Sequence, residues 1–190
     1  FHVDQDALRG PGFQMVQGLV ALTDTAPGTG GNVLVPRSHK DVFPRLARDY
    51  RAELEANGGD DYFELPARDA VFADGEAICC LLRKGDLLLW DSRTVHASPP
   101  AHAADPPLRT DKLVRACSFV CMAPRASCPP DVRRERRAAF EAGVTTTHWP
   151  TRVLRTDAYD SFKALDAAVR RRFSEPPPPA PLTPEIDALI

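Results

Sequence analysis

From Gln14 to Thr23 the chain reads QMVQGLVALT, a β-rich run that predicts a core strand. Ala77 to Leu82 (AICCLL) and Leu87 to Trp90 (LLLW) are two further apolar runs, parted by the turn-forming Lys84, Gly85 and Asp86. Phe1 to Gln5, Val33 to Val35 (closed by Pro36) and Thr94 to Ala97 are short extended pieces, and Leu113 to Met122 is the last strong strand. From Val42 to Asn57 the period changes: Phe43, Leu46, Ala47, Tyr50 and Leu54 recur at helical spacing, and Gly58 and Gly59 supply the stop. Pro130 opens a second helical stretch that runs through Ala142, with Gly143 as its stop. A third helix is predicted over Tyr159 to Phe173. Pro176 to Pro179 read as a polyproline spacer, and Thr183 caps a short helix from Pro184 to Leu189.

Two loops interrupt the strands. Asp24 to Asn32 carries Pro27, Gly28, Gly30 and Gly31, which calls for positive φ or close backbone approach. Pro99 to Asp111 is rich in Pro and Ala and reads as a surface loop. Many short strands, with helices confined to one flank and the end, predict a β-sandwich or jelly roll rather than a parallel α/β sheet.

Composition narrows the class. The 190 residues suit one domain with a real core, at 43% hydrophobic and 26% charged. A net charge of -2 gives no electrostatic reason to expect nucleic acid or an anionic membrane as partner. The clusters at Arg133, Arg134, Arg136 and Arg137 and at Arg170 to Arg172 read as solvated helix faces. No apolar run reaches the roughly 20 residues that span a bilayer. Cys79, Cys80, Cys117 and Cys121 lie in strand-like runs and Cys128 in a loop, none in C-x-x-C spacing, so buried thiols in a reducing compartment are expected rather than disulfides or a zinc knuckle. The chain opens on Phe1 with chemistry-bearing residues already in its first strand, which reads as a partial chain whose targeting signal, if any, lies upstream.

In an extended strand alternate side chains share a face, so His2-x-Asp4 points an imidazole and a carboxylate the same way. His96 follows an apolar strand pair and is the third candidate. Two His and one carboxylate with open positions opposite is the ligand set of non-haem Fe(II) oxygenases. Taken alone, H-x-D and a single distant His are a weak signal, since such short motifs recur by chance and a lone His is commonly structural.

The sequence between them adds order to the set. Gln17-Gly18-Leu19-Val20-Ala21-Leu22-Thr23-Asp24, then Gly30-Gly31-Asn32-Val33-Leu34-Val35-Pro36-Arg37-Ser38-His39-Lys40, then Lys84-Gly85-Asp86 and the segment ending in His96 together resemble the phytanoyl-CoA dioxygenase family. The resemblance runs from His2 to about Arg125, and Thr147-His148-Trp149-Pro150 looks like a C-terminal signature of one branch. It implies a mainly β fold with flanking helices, a double-stranded β-helix (jelly roll) that is N-terminally incomplete here. It also implies Fe(II) held by His2, Asp4 and His96, 2-oxoglutarate as cosubstrate, and O₂ as oxidant. The implied reaction couples decarboxylation of 2-oxoglutarate, to succinate and CO₂, with hydroxylation of an unactivated C–H bond in a small or lipid-like molecule. Retention of Asp4 favours a hydroxylase over the related halogenases, which lack that carboxylate. Arg37 departs from the family's usual Gly, so a different backbone shape is expected at that turn.

The cosubstrate's distal carboxylate needs a cation. Alternation along Leu113 to Cys121 puts Arg115 on one face with Cys117, Phe119 and Cys121, where a guanidinium calls for a bidentate acid. The alternative is that Arg115 points to solvent at a strand end. Ser98, two residues past His96, looks like the family's hydroxyl contact to the same carboxylate. His39 reads as a turn residue able to line the site mouth, His102 as surface, His148 with Trp149 as a packed anchor, and Trp90 as core or site wall. The domain organisation expected is a partial jelly roll over 1–150, a helical segment over 151–174, and a Pro-rich tail over 175–190. Two rivals stand beside the dioxygenase: a catalytically silent jelly-roll binding domain, and a cupin-like zinc or manganese enzyme that dispenses with 2-oxoglutarate. Retention of the whole set His2, Asp4, His96 and Arg115 counts against the first. The second leaves Arg115 and Ser98 without a ligand.

Overall fold

The computed structural model describes residues 1–73, 76–101, 114–142, 149–152, 181 and 183–189. They divide into two units, Phe1–Val120 and Cys121–Ile190. The first is built on two sheets. One has five strands in the order β4-β1-β7-β3-β5: β1 (His2–Asp4), β3 (Asn32–Leu34), β4 (Tyr62–Glu64), β5 (Ile78–Cys80) and β7 (His96–Ala97). The other runs β6-β2-β8, with β2 (Val16–Ala21), β6 (Leu87–Asp91) and β8 (Cys117–Met122). Mainly β structure with a few helices is what the jelly-roll reading predicts, and among the described residues the sheets do not close into a barrel.

Alternation in the five-stranded sheet separates the core from the chemistry. Val3 lies between His2 and Asp4 and pairs with Phe63, and both are buried against the helices together with Val95, the neighbour of His96. The helices are α1 (Ser38–Asp41), α2 (Phe43–Asp49) and α3 (Arg51–Ala56). They contribute Phe43, Leu46, Tyr50 and Leu54 to this core, as the periodicity predicts. Each side chain so buried contributes about 1.5–3 kcal/mol. The single helix expected over 42–57 is instead two pieces, α2 and α3, with α1 set off before them. Pro44 cannot donate to the turn before it, and Tyr50 leaves helical geometry at φ −130° before α3 resumes.

In the three-stranded sheet, Gln17 pairs with Trp90 and Leu19 with Leu88, all on one face. Gly18 pairs with Leu89 on the opposite face. A Cβ on Gly18 would lie 2.5 Å from Leu89 Cδ2 and 3.2 Å from Val120 Cγ2, so glycine is what lets these side chains meet across the strand. Gly30 meets the other glycine expectation: its φ is 70° and a Cβ would sit 2.6 Å from the Pro99 carbonyl oxygen.

Several expectations need revision. β4 was not foreseen, because its three residues YFE alternate too briefly to stand out. The strand cysteines are not buried: Cys79 is exposed, Cys80, Cys117 and Cys121 are half-buried, and only Cys128 is buried, all as free thiols. Phe119 is 61% exposed, so the face of β8 that carries it is open and not an apolar core. At Arg37 the chain takes φ 64°, the left-handed turn that glycine would favour. The turn shape is therefore one glycine also adopts, and Arg37 carries the strain.

The second unit holds α4 (Pro130–Glu141) and α5 (Pro184–Leu189), both close to their expected bounds. The Thr183 hydroxyl accepts from the Ile186 amide at 3.3 Å, as a cap should. Trp149 is buried, its carbonyl accepts from Arg136 at 3.2 Å, and Arg152 lies over its ring, which makes it the anchor expected there. The helix at 159–173, His102, His148, the polyproline spacer and most of the 99–111 loop lie outside the described residues. Among the described residues, no helix is long and apolar enough to cross a membrane.

Candidate metal centre

β1 lies between β4 and β7, with His2 in register with Glu64 on one side and His96 on the other. That register, together with alternation, gathers His2, Asp4 and His96 on the sheet face opposite the helical core. One donor atom from each lies within 4.8 Å of the others. His2 Nε2 is 3.5 Å from Asp4 Oδ1, and His96 Nε2 is 3.2 Å from Asp4 Oδ2. The imidazole centroids are 4.2 Å apart.

The surroundings fix the donors. His96 Nδ1 lies 2.9 Å from the Thr94 carbonyl, which can only accept, so Nδ1 carries a proton and Nε2 is the nitrogen turned toward Asp4. Gln17 Nε2 donates to Asp4 Oδ2 at 2.8 Å, and Trp90 Nε1 donates to Gln17 Oε1 at 3.0 Å. The Trp90 ring stands 5.4 Å from His96 and the Tyr62 ring 4.6 Å from His2. Trp90 is thus site wall as well as core. Burial raises the Asp4 pKa, but the His96 hydrogen bond and charge, the Gln17 bond and the His2 charge outweigh it and hold Asp4 at about 2. The carboxylate is ionised wherever a metal would compete for it.

After β1 the chain is pinned. Gln5 is fully buried, donates to the Gly10 and Gly12 carbonyls and accepts from Ser92 Oγ at 2.6 Å, tying the strand's exit to the turn that precedes His96. A chain held on the flanks of the candidate donors needs little reordering to take up an ion.

Beside the triad lies an open cleft of about 390 Å³. Leu34, Ile78 and Trp90 give it apolar walls, and Arg37, His39 and Asp91 add polar groups to its lining. His39 is thus among the residues that line this cleft. Arg115, just ahead of Cys117, is half-buried with Nη2 3.7 Å from Cys117 Sγ, and Ser98 is exposed just past β7. Gln17, Tyr62 and Thr94 were not singled out from sequence. Gln17 alone left a trace there, as a polar residue inside an apolar strand.

Two imidazole nitrogens and an ionised carboxylate gathered within 4.8 Å suit a divalent first-row metal that keeps open positions for other ligands. Residues 1–108 match the sequence profile of a family described as phytanoyl-CoA dioxygenase (PhyH). The chain is also similar to Ava biosynthesis cluster protein O of Aspergillus versicolor, 30% identical over 148 residues. That alignment takes in 74% of this chain and 45% of the relative, so the chain spans about half the length of the protein it matches.

Proposed function

Because the chain belongs to the phytanoyl-CoA dioxygenase family, we propose that it is an Fe(II)- and 2-oxoglutarate-dependent dioxygenase that hydroxylates an unactivated C–H bond of a small organic molecule. The observation that carries this reading is the convergence of His2, Asp4 and His96 within 4.8 Å, with Nδ1 of His96 occupied by Thr94. In this reading Fe(II) with 2-oxoglutarate and O₂ supplies the oxidising power, and the cosubstrate leaves as succinate and CO₂. The chain's own work is to bind, orient and exclude water.

His2 and His96 present Nε2 and Asp4 one carboxylate oxygen to the ion, while Gln17 and Trp90 keep that carboxylate from rotating. Arg115 and Ser98 are assigned to the distal carboxylate of 2-oxoglutarate, the first as a bidentate cation and the second as a hydroxyl donor. The cleft lined by Leu34, Ile78 and Trp90 would take the apolar body of the substrate, with Arg37 and His39 in its lining for a polar end. A relative named for a biosynthesis cluster favours a small molecule as substrate.

The test is anaerobic loading with Fe(II), then 2-oxoglutarate and O₂, with succinate release as the readout. The wild type is expected to bind one iron per chain and release succinate. Asp4→Ala is expected to lose the iron. Wild-type protein that binds iron and leaves 2-oxoglutarate untouched would overturn the cosubstrate assignment.

A further inference from the structure

We propose that Asn32 is a ligand-binding residue of the same chamber, its side-chain amide donating to the distal carboxylate of the 2-oxo acid. The inference rests on the 2-oxoglutarate reading above and adds to it a residue that neither composition nor motif singled out for this work.

Asn32 is 2% exposed, yet neither its Oδ1 nor its Nδ2 has a hydrogen-bond partner among the described residues. A buried amide left unpaired is costly, and such groups are rare in folded proteins unless something outside the chain satisfies them. The position of this one says what that is. Along β3, Asn32 and Leu34 share a face. Leu34 is in register with His96 on β7, so this is the face that carries the metal triad. On the other side Asn32 is in register with Cys80, and both Leu34 and Cys80 line the cleft beside the triad. The amide is therefore held on the chamber side of the sheet, away from the helical core.

The β3–β7 register carries the argument one step further. Leu34 faces His96 and Val33 faces Ala97, so the next position brings Asn32 opposite Ser98. Ser98 is the hydroxyl assigned to the distal carboxylate. An amide N–H and a hydroxyl placed across neighbouring strands can each donate to one carboxylate, and the amide Oδ1 remains to accept from a water or a cation at the same end. Aliphatic side chains satisfy none of this. The amide's place on a paired strand gives it fixed reach, so it would also measure the length of the 2-oxo acid.

Calorimetric titration of 2-oxoglutarate into the Zn(II)-loaded full chain tests this without turnover. Asn32→Leu, close in size and without polar atoms, is expected to weaken 2-oxoglutarate at least tenfold while leaving Zn(II) affinity unchanged. The metal-free Asn32→Leu protein should melt higher than wild type, because two orphaned polar atoms are gone. Asn32→Asp, which is isosteric and sets a like charge beside the carboxylate, is expected to weaken binding further, and it carries the same test should the leucine variant not fold. Asn32→Leu that binds 2-oxoglutarate as tightly as wild type would overturn the assignment and leave Asn32 a buried orphan. Wild-type protein that takes up Zn(II) but gives no heat with 2-oxoglutarate would overturn the cosubstrate reading itself, and this inference with it.

Discussion

Gln17 shows how much a single residue can hide. Its side chain accepts from Trp90 and donates to Asp4, so the carboxylate reaches the candidate metal with one oxygen already held. Partners of this kind typically change metal affinity by about 10- to 100-fold when removed. Gln17→Leu is therefore expected to weaken Zn(II) or Fe(II) binding by that order in a competition titration, with the far-UV spectrum intact. Unchanged metal affinity would reduce Gln17 to packing. The H-x-D pair was legible because alternation is local to one strand, whereas Gln17 meets Asp4 only when a second sheet covers the first. Arg37 is the converse case. Its left-handed backbone costs a side-chain residue about 1–2 kcal/mol, and glycine's extra freedom in the unfolded chain takes back about 0.5–1. Arg37→Gly should thus raise the unfolding free energy slightly, by about 0.5 kcal/mol, in urea titration. The surface pair with Asp41 that it gives up is worth little.

Between elements, the interaction that most fixes the helices is one that periodicity could not reveal. Asp69 has a fully buried side chain that accepts two bonds from Arg45 in α2, one from the Tyr50 hydroxyl at 2.8 Å and one from the Val71 amide at 2.8 Å. Burial raises its pKa, but the Arg45 bond, the Val71 amide, the Tyr50 hydroxyl and the Arg45 charge together bring it below the ordinary value. A folded pKa below the unfolded one means stability that is present above the usual carboxylate range and lost as pH falls through the depressed value. Asp69→Asn is expected to cost roughly 3 kcal/mol near neutrality, by removing the buried charge that Arg45 and Tyr50 bond, even though Asp49 still pairs with Arg45. The gap from wild type should narrow on acidification, as denaturant titrations at the two pH values would record. A gap that stayed constant would rule out this account. Elements with long periods, such as β2 and the helical stretch that became α2 and α3, were legible in sequence. β4 was not, because its role comes from pairing with β1, and its YFE carries too short a pattern to announce a strand.

At the scale of the whole first unit, the five-stranded sheet carries the candidate ligand set and the three-stranded sheet the residues around it, so on the proposed reading the cosubstrate's anchor should come from the second sheet. The Leu22 amide bonds the Ala116 carbonyl, which sets Ala116 opposite Leu22 and sends Arg115 and Cys117 to the face that carries Gln17. Alternation thus puts Arg115 on the Gln17 face, but with Phe119 61% exposed that face is not a buried apolar one that forces pairing. An Arg on an open face keeps its water until a ligand arrives, so its contribution is smaller than that of a buried pair. Arg115→Ala is accordingly expected to weaken 2-oxoglutarate by about 10- to 100-fold, or roughly 1.4–2.8 kcal/mol. Arg115→Lys should recover only part of this, because an ammonium lacks the planar fork that takes both carboxylate oxygens. Iron content should stay at the wild-type level in both, since Arg115 lies outside the donor set, whereas Asp4→Ala loses it. The measurement is the apparent 2-oxoglutarate constant in a succinate-release assay. An Arg115→Ala protein with the wild-type constant would take the anchor away from β8.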